Sequence, residues 1–148
     1  MVSLLALLAG AVLAGNSAPI AVSQPWVRAL PPTQANTAAY LVIDNPTGVA
    51  VTITGASTDI AERVEFHTTR EVDGYQRMEQ LQQLELAPGQ RLELAPGGTH
   101  LMLLGLQRMP AVGEQVQLCL YVAGGEETCF SAEVRREGGQ SSHEHHHH

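Results

Sequence analysis

Residues 115–134 read QVQLCLYV, then AGG, then EETCFSAEV, and this stretch decides the fold. Val116, Leu118, Leu120 and Val122 alternate with Gln117, Cys119 and Tyr121, a period of two that only a strand with one buried face produces. Thr128, Phe130, Ala132 and Val134 repeat that pattern in the strand that follows. A three-residue Ala123-Gly124-Gly125 loop sets Leu118 opposite Phe130 on the core side and Cys119 opposite Cys129 on the outer side. A non-hydrogen-bonded antiparallel pair has Cα atoms about 4.5 Å apart, at the short end of what a disulfide spans. The expectation is therefore a Cys119–Cys129 disulfide. The alternatives are two free thiols, or a two-residue Gly124-Gly125 turn that shifts the register. The C-x-x-C spacing of redox-active thiols is absent.

Working outward, the same short alternating runs recur. Candidate strands are residues 37–44, 49–54, 63–70, 74–80, 91–94, 100–104, 115–122 and 127–134. Asn45-Pro46-Thr47-Gly48, Asp73-Gly74, Pro88-Gly89 and Pro96-Gly97-Gly98 separate them, supplying fixed or positive φ. No stretch carries a convincing helical period. Strands at this spacing predict an all-β antiparallel sandwich or barrel. Its core faces are expected to be Val49/Val51/Ile53, Leu92/Leu94 and Val116/Leu118/Leu120/Val122.

A chain of 148 residues suits one domain, placed here at residues 19–136. Leu4 to Ala14 is an apolar run too short to span a bilayer, and small residues follow it. Residues 1–18 therefore read as an export signal, although Met1-Val2-Ser3 lacks the usual positive charge. Asn16 stands where a lipoprotein would carry its lipidated Cys. Residues 137–148 form a flexible tail ending in His143-Glu144-His145-His146-His147-His148. It reads equally as a purification tag or as an arm that captures Cu(II). The net charge of −7 and the lack of a Lys/Arg run make a nucleic-acid partner a poor fit.

Outside the tail there are two histidines, His67 and His100, and three methionines beyond Met1: Met78, Met102 and Met109. His100 and Met102 are i and i+2 on a strand and share a face. Asp73-Gly74 is a two-residue hairpin signal. Closing it with Val72 opposite Tyr75 puts Thr69 opposite Met78, so His67 and Met78 become diagonal neighbours at roughly 7–8 Å. Two ribbons then each present one His and one Met. Thioethers are soft and neutral, and with imidazole they suit Cu(I) better than Zn(II). With no anionic ligand, the expected site is one of ready exchange, a carrier's site. A blue-copper centre would need a Cys thiolate among the ligands. A catalytic centre would need an acid or base beside an open coordination position. The sequence offers neither, so no enzyme is expected.

The spacing H-x10-M-x21-H-x-M, from His67 to Met102, resembles that of the periplasmic PCu(A)C copper chaperones. Trp26-Val27-Arg28, Ala38-Ala39-Tyr40 and Pro96-Gly97-Gly98-Thr99-His100-Leu101-Met102-Leu103 are similar to that family's other blocks. The resemblance covers Trp26 to Val134. It implies a cupredoxin-like Greek-key β-sandwich that binds Cu(I) through His67, Met78, His100 and Met102. It further implies an extracytoplasmic, monomeric carrier that delivers copper to the Cu(A) centre of cytochrome c oxidase subunit II, alongside a Sco-type protein. The alternative is periplasmic copper buffering or storage without a dedicated acceptor.

Overall fold

The computed structural model describes Gly10 and residues 18–136. The export segment lies almost entirely outside the described residues, and the His-rich tail wholly so. The described residues form ten strands: β1 (Ala21–Arg28), β2 (Thr37–Asp44), β3 (Val51–Thr58), β4 (Ala61–Val72), β5 (Tyr75–Leu81), β6 (Leu84–Leu86), β7 (Arg91–Leu94), β8 (His100–Leu106), β9 (Gln115–Val122) and β10 (Glu126–Arg135). This is the expected all-β fold.

Alternation explains the architecture. Seven strands follow one another in the order β4-β8-β2-β1-β10-β9-β3, and the Ala56–Val64 pairing joins β3 back to β4. Their inward faces supply Val27, Leu41, Ile43, Ile53, Leu101, Leu103, Leu118, Leu120 and Val134, all buried. Each such aliphatic side chain contributes about 1.5–3 kcal/mol by leaving water. β5, β6 and β7 attach outside this ring, to β4, β3 and β2. The strand β4 is long enough to serve both parts. Its first half closes the ring, and its second half leaves it as a ribbon with β5, paired from Phe66–Leu81 to Val72–Tyr75.

The hairpin of residues 115–134 forms in the expected register. Cys119 faces Cys129 and Leu118 faces Phe130, and the two cysteines are disulfide-bonded with Cα atoms 4.0 Å apart. The three-residue β6 was not expected as a strand, and three further features differ from the sequence reading. Val49 is outside β3 and 66% exposed. The buried Asn45 side chain donates to the carbonyls of Val49 and Ala87 and accepts from the Thr47 amide. That polar clamp holds residues 45–49 as a loop, and the strand starts two residues later than alternation suggested. β1 was not expected as a strand, because Pro25 and the left-handed Gln24 (φ 52°) interrupt its pattern. The structure absorbs both in a bulge between Ser23 and Trp26. β1 also pairs in parallel with β10, in register Trp26–Glu133 to Arg28–Arg135, so one ladder is not antiparallel.

Candidate metal centre

β4 and β8 place the two histidines. They pair antiparallel with His67 directly opposite His100 and Glu65 directly opposite Met102. Directly paired residues point to the same side of a sheet. Glu65, His67, His100 and Met102 therefore share one patch on the outer face, and the two imidazole centroids lie 6.0 Å apart. The ribbon brings in the fourth predicted residue. Met78 is opposite Thr69, two residues along β4 from His67 and on the same face. The register expected from Asp73-Gly74 holds, with positive φ at both turn residues as a type I′ turn demands.

The hydrogen bonds define which imidazole nitrogens remain available. His100 Nδ1 lies 2.9 Å from the Gly98 carbonyl. A carbonyl only accepts, so Nδ1 carries the hydrogen, and Nε2 keeps the lone pair. His67 Nε2 lies 2.8 Å from Glu65 Oε2. The carboxylate accepts, so Nε2 carries the hydrogen and Nδ1 keeps the lone pair. That Nδ1 is buried and has no hydrogen-bond partner. A buried polar atom without a partner is costly, and a metal ion would satisfy it. A carboxylate behind a ligating imidazole is a recurrent arrangement at metal sites, because it fixes the tautomer and raises basicity.

Charge favours the same state. The hydrogen bond from His67, then that from Arg63, holds the Glu65 carboxyl below its ordinary range, so it stays ionised. Burial pushes His100 below its ordinary value, only partly offset by the Gly98 hydrogen bond; His67 and Arg28 push it further down. His100 is thus held as the neutral imidazole that ligation needs.

The four candidates differ in packing. His100 is 4% exposed and Met78 56%. Met102 is half-buried against a small outer-face cluster of Trp26, Ala38 and Tyr40. The Trp26 and Tyr40 rings lie 4.6 Å apart, and the Arg28 guanidinium sits 5.2 Å from the Tyr40 centroid. Met109 is elsewhere, lining a cavity of about 750 Å³ with Leu30 and Pro110. Cys119, Glu127 and Cys129 also converge, but the disulfide consumes both thiolates. Sequence reasoning missed Glu65. The signal for Glu65 was available in its i, i+2 relation to His67. The aromatic plate depends on β1–β2 pairing and had no local signal.

The fold is the cupredoxin-like one of PCuAC domains. A copper-bound PCuAC domain from PmoF2 superposes with a TM-score of 0.67 at 22% identity, covering 82% of this chain and 95% of that one. CuI-DR1885 from Deinococcus radiodurans superposes with a TM-score of 0.66 at 31% identity, covering 84% and 83%. Residues 20–134 match the family "Putative lipoprotein LpqE-like", and the chain belongs to this LpqE-like family. It is also 27% identical over 117 residues to "Putative lipoprotein Lxx21020" of Leifsonia xyli subsp. xyli, covering 78% of this chain and 69% of that protein.

Proposed function

We propose that this chain is an extracytoplasmic carrier whose cargo is Cu(I), with His67, His100, Met102 and Met78 as the ligands. The observation that carries the reading is the cross-strand histidine pair. Each ring has one nitrogen committed to an oxygen of the protein and the other left with its lone pair. Two soft thioethers on the same face complete a donor set suited to Cu(I) and poor for Zn(II). The copper of the copper-bound PmoF2 domain and of CuI-DR1885 supports the metal, and the likeness to lipoproteins supports export.

The donor set carries no formal charge, so the bound ion remains cationic. Glu65 lies behind His67, where it balances that charge without occupying a coordination position. The arrangement holds and releases an ion; no catalytic role is proposed. The proposed acceptor is the Cu(A) centre of cytochrome c oxidase subunit II, reached alone or alongside a Sco-type thiol protein. Buffering without a dedicated acceptor is the alternative.

An anaerobic Cu(I) titration of the chain ending at Arg136, against a competing chelator, tests the site. One tight equivalent with Zn(II) ignored is expected, and no Cu(I) binding overturns the assignment. Incubating the loaded chain with an isolated Cu(A) domain separates the two roles. Copper transfer supports delivery, and retention supports buffering.

A further inference from the structure

We propose that the chain pairs with a second copy of itself through the outer edge of β5, in the one antiparallel register that places Met78 opposite Met78. β5 ends the strand order, and among the described residues no strand covers its outer side. Which backbone groups face outward follows from the ladder. A two-residue turn closes on a hydrogen-bonded pair, here Val72–Tyr75, and such pairs then alternate along an antiparallel ribbon. Gln76, Met78 and Gln80 therefore turn their N–H and C=O groups away from β4. The Thr69 amide, opposite Met78, bears this out: it points away from β5 and donates to the Gly98 carbonyl.

The sequence Tyr75-Gln76-Arg77-Met78-Glu79-Gln80-Leu81 is self-complementary about Met78. With two copies antiparallel and Met78 on the two-fold axis, Gln76 meets Gln80, Arg77 meets Glu79 and Tyr75 meets Leu81. The groups that would form the new ladder belong to residues 76, 78 and 80, the set already facing outward. A shift of register by one residue in the sum loses both the charge pairs and the outward-facing set.

Charge complementarity makes the occupant a second copy. Within the chain Arg77 stands directly opposite Arg70, and like charges in that position repel. Glu79 bonds Arg70 at 2.7 Å, while no ion pair to Arg77 occurs among the described residues. The pairing supplies a carboxylate to Arg77 at both ends of the symmetric contact. Charges on an edge strand ordinarily keep other strands away; here opposite signs on one face, symmetric about a central residue, select this strand itself. Tyr75 and Met78 are the exposed apolar groups of β5, at 73% and 56%, and the pairing covers them. Both outer faces would then lie on the same side of one continuous sheet, with the two Met78 side chains adjacent. This last consequence, a path for the ion between two copies, rests on the proposed copper site; the pairing does not.

Sedimentation velocity on the full chain with EDTA tests it, from about 10 μM to about 1 mM, the range in which contacts well below 1,200 Å² associate. A monomer–dimer equilibrium is expected. Gln76→Pro, which removes an outward N–H without touching the β4 ladder, should abolish it. Arg77→Glu and Glu79→Arg should each weaken it about tenfold or more, through two repulsive pairs per dimer. Mixing those two variants should restore association, because every facing pair is again opposite in charge. A wild-type chain that stays monomeric at the highest concentration, a dimer indifferent to Gln76→Pro, or a mixture that associates no better than its components would each overturn the proposal.

Discussion

The candidate metal face has two unlike halves. The β8 half is built into the ring. His100 is buried, its Nδ1 is held by Gly98, and Met102 lies against Trp26, Ala38 and Tyr40. The β5 half stands on a ribbon outside the ring, where Met78 is exposed and held by backbone pairing to β4. His67 sits at the junction, half-buried, where β4 passes from ring to ribbon. The sequence pattern H-x10-M-x21-H-x-M thus conceals unequal preorganisation of the proposed ligands. Donors fixed by packing lose little freedom on binding and should dominate affinity. A donor exposed on an edge loses more freedom but is the one a partner can reach. We expect the ring half to hold the ion and the ribbon half to govern exchange.

The largest effect is expected at His100. Replacing it with Ala removes a preorganised ligand and a buried hydrogen bond. Cu(I) affinity should fall by about 100-fold or more, and stability by about 1–3 kcal/mol. A chelator competition and a urea melt read the two effects. Glu65→Gln comes next. Loss of a partner behind a ligand typically costs about 10–100-fold in affinity, and Gln matches Glu65 in volume, so the fold should be unchanged. An unaltered affinity in Glu65→Gln would mean that His67 is not held through Glu65.

What the sequence revealed and what it concealed divide along the same line as local and non-local pairing. The Cys119–Cys129 register and the Thr69–Met78 register followed from two-fold alternation and a single turn each, so both were legible. So was the His100-x-Met102 pair, which needs only one strand. The direct pairing of His67 with His100, and of Glu65 with Met102, depends on β4 lying beside β8. Those strands are separated by β5, β6 and β7, and no local rule sets their register. β1 was hidden because Pro25 and the bulge at Ser23–Trp26 break its period, and β6, with three residues, is too short to show one. Val49 continued an apolar alternation that the Asn45 clamp cuts off. Burial was also out of reach: nothing in the spacing separates the enclosed His100 from the exposed Met78.

Acidification should act more gently and mainly on the ring half. Burial lowers the His100 value below the ordinary 6.5, so between the two values the unfolded chain binds a proton that the folded chain does not. The sign follows: stability contributed by neutral His100 is present above about 6.5 and declines as pH falls through that value toward the folded one. Cu(I) affinity should decline in the same direction, because a protonated imidazole has no lone pair to donate. A thermal melt series from neutral to about pH 5 checks the first; competition titrations check the second. Stability that rises on acidification would overturn the neutral assignment of His100.

The smallest thermodynamic effect is expected at Met78, and it sharpens the comparison most. Met78→Leu preserves volume at an exposed position, so stability should change by less than about 0.5 kcal/mol. Affinity should fall by only about tenfold, less than for Met102→Leu, whose thioether is held in place by packing. The rate of Cu(I) transfer to a chelator should change more than the affinity does. An exposed donor at the ribbon edge is the first the ion can leave and the first an incoming ligand can replace. Stopped-flow transfer measured beside equilibrium competition decides the matter. If Met78→Leu and Met102→Leu shift affinity and rate in equal proportion, the two halves act as one and the division drawn from their packing fails. If the Met78 variant separates rate from affinity while the Met102 variant does not, the ribbon is the exchange edge of the site.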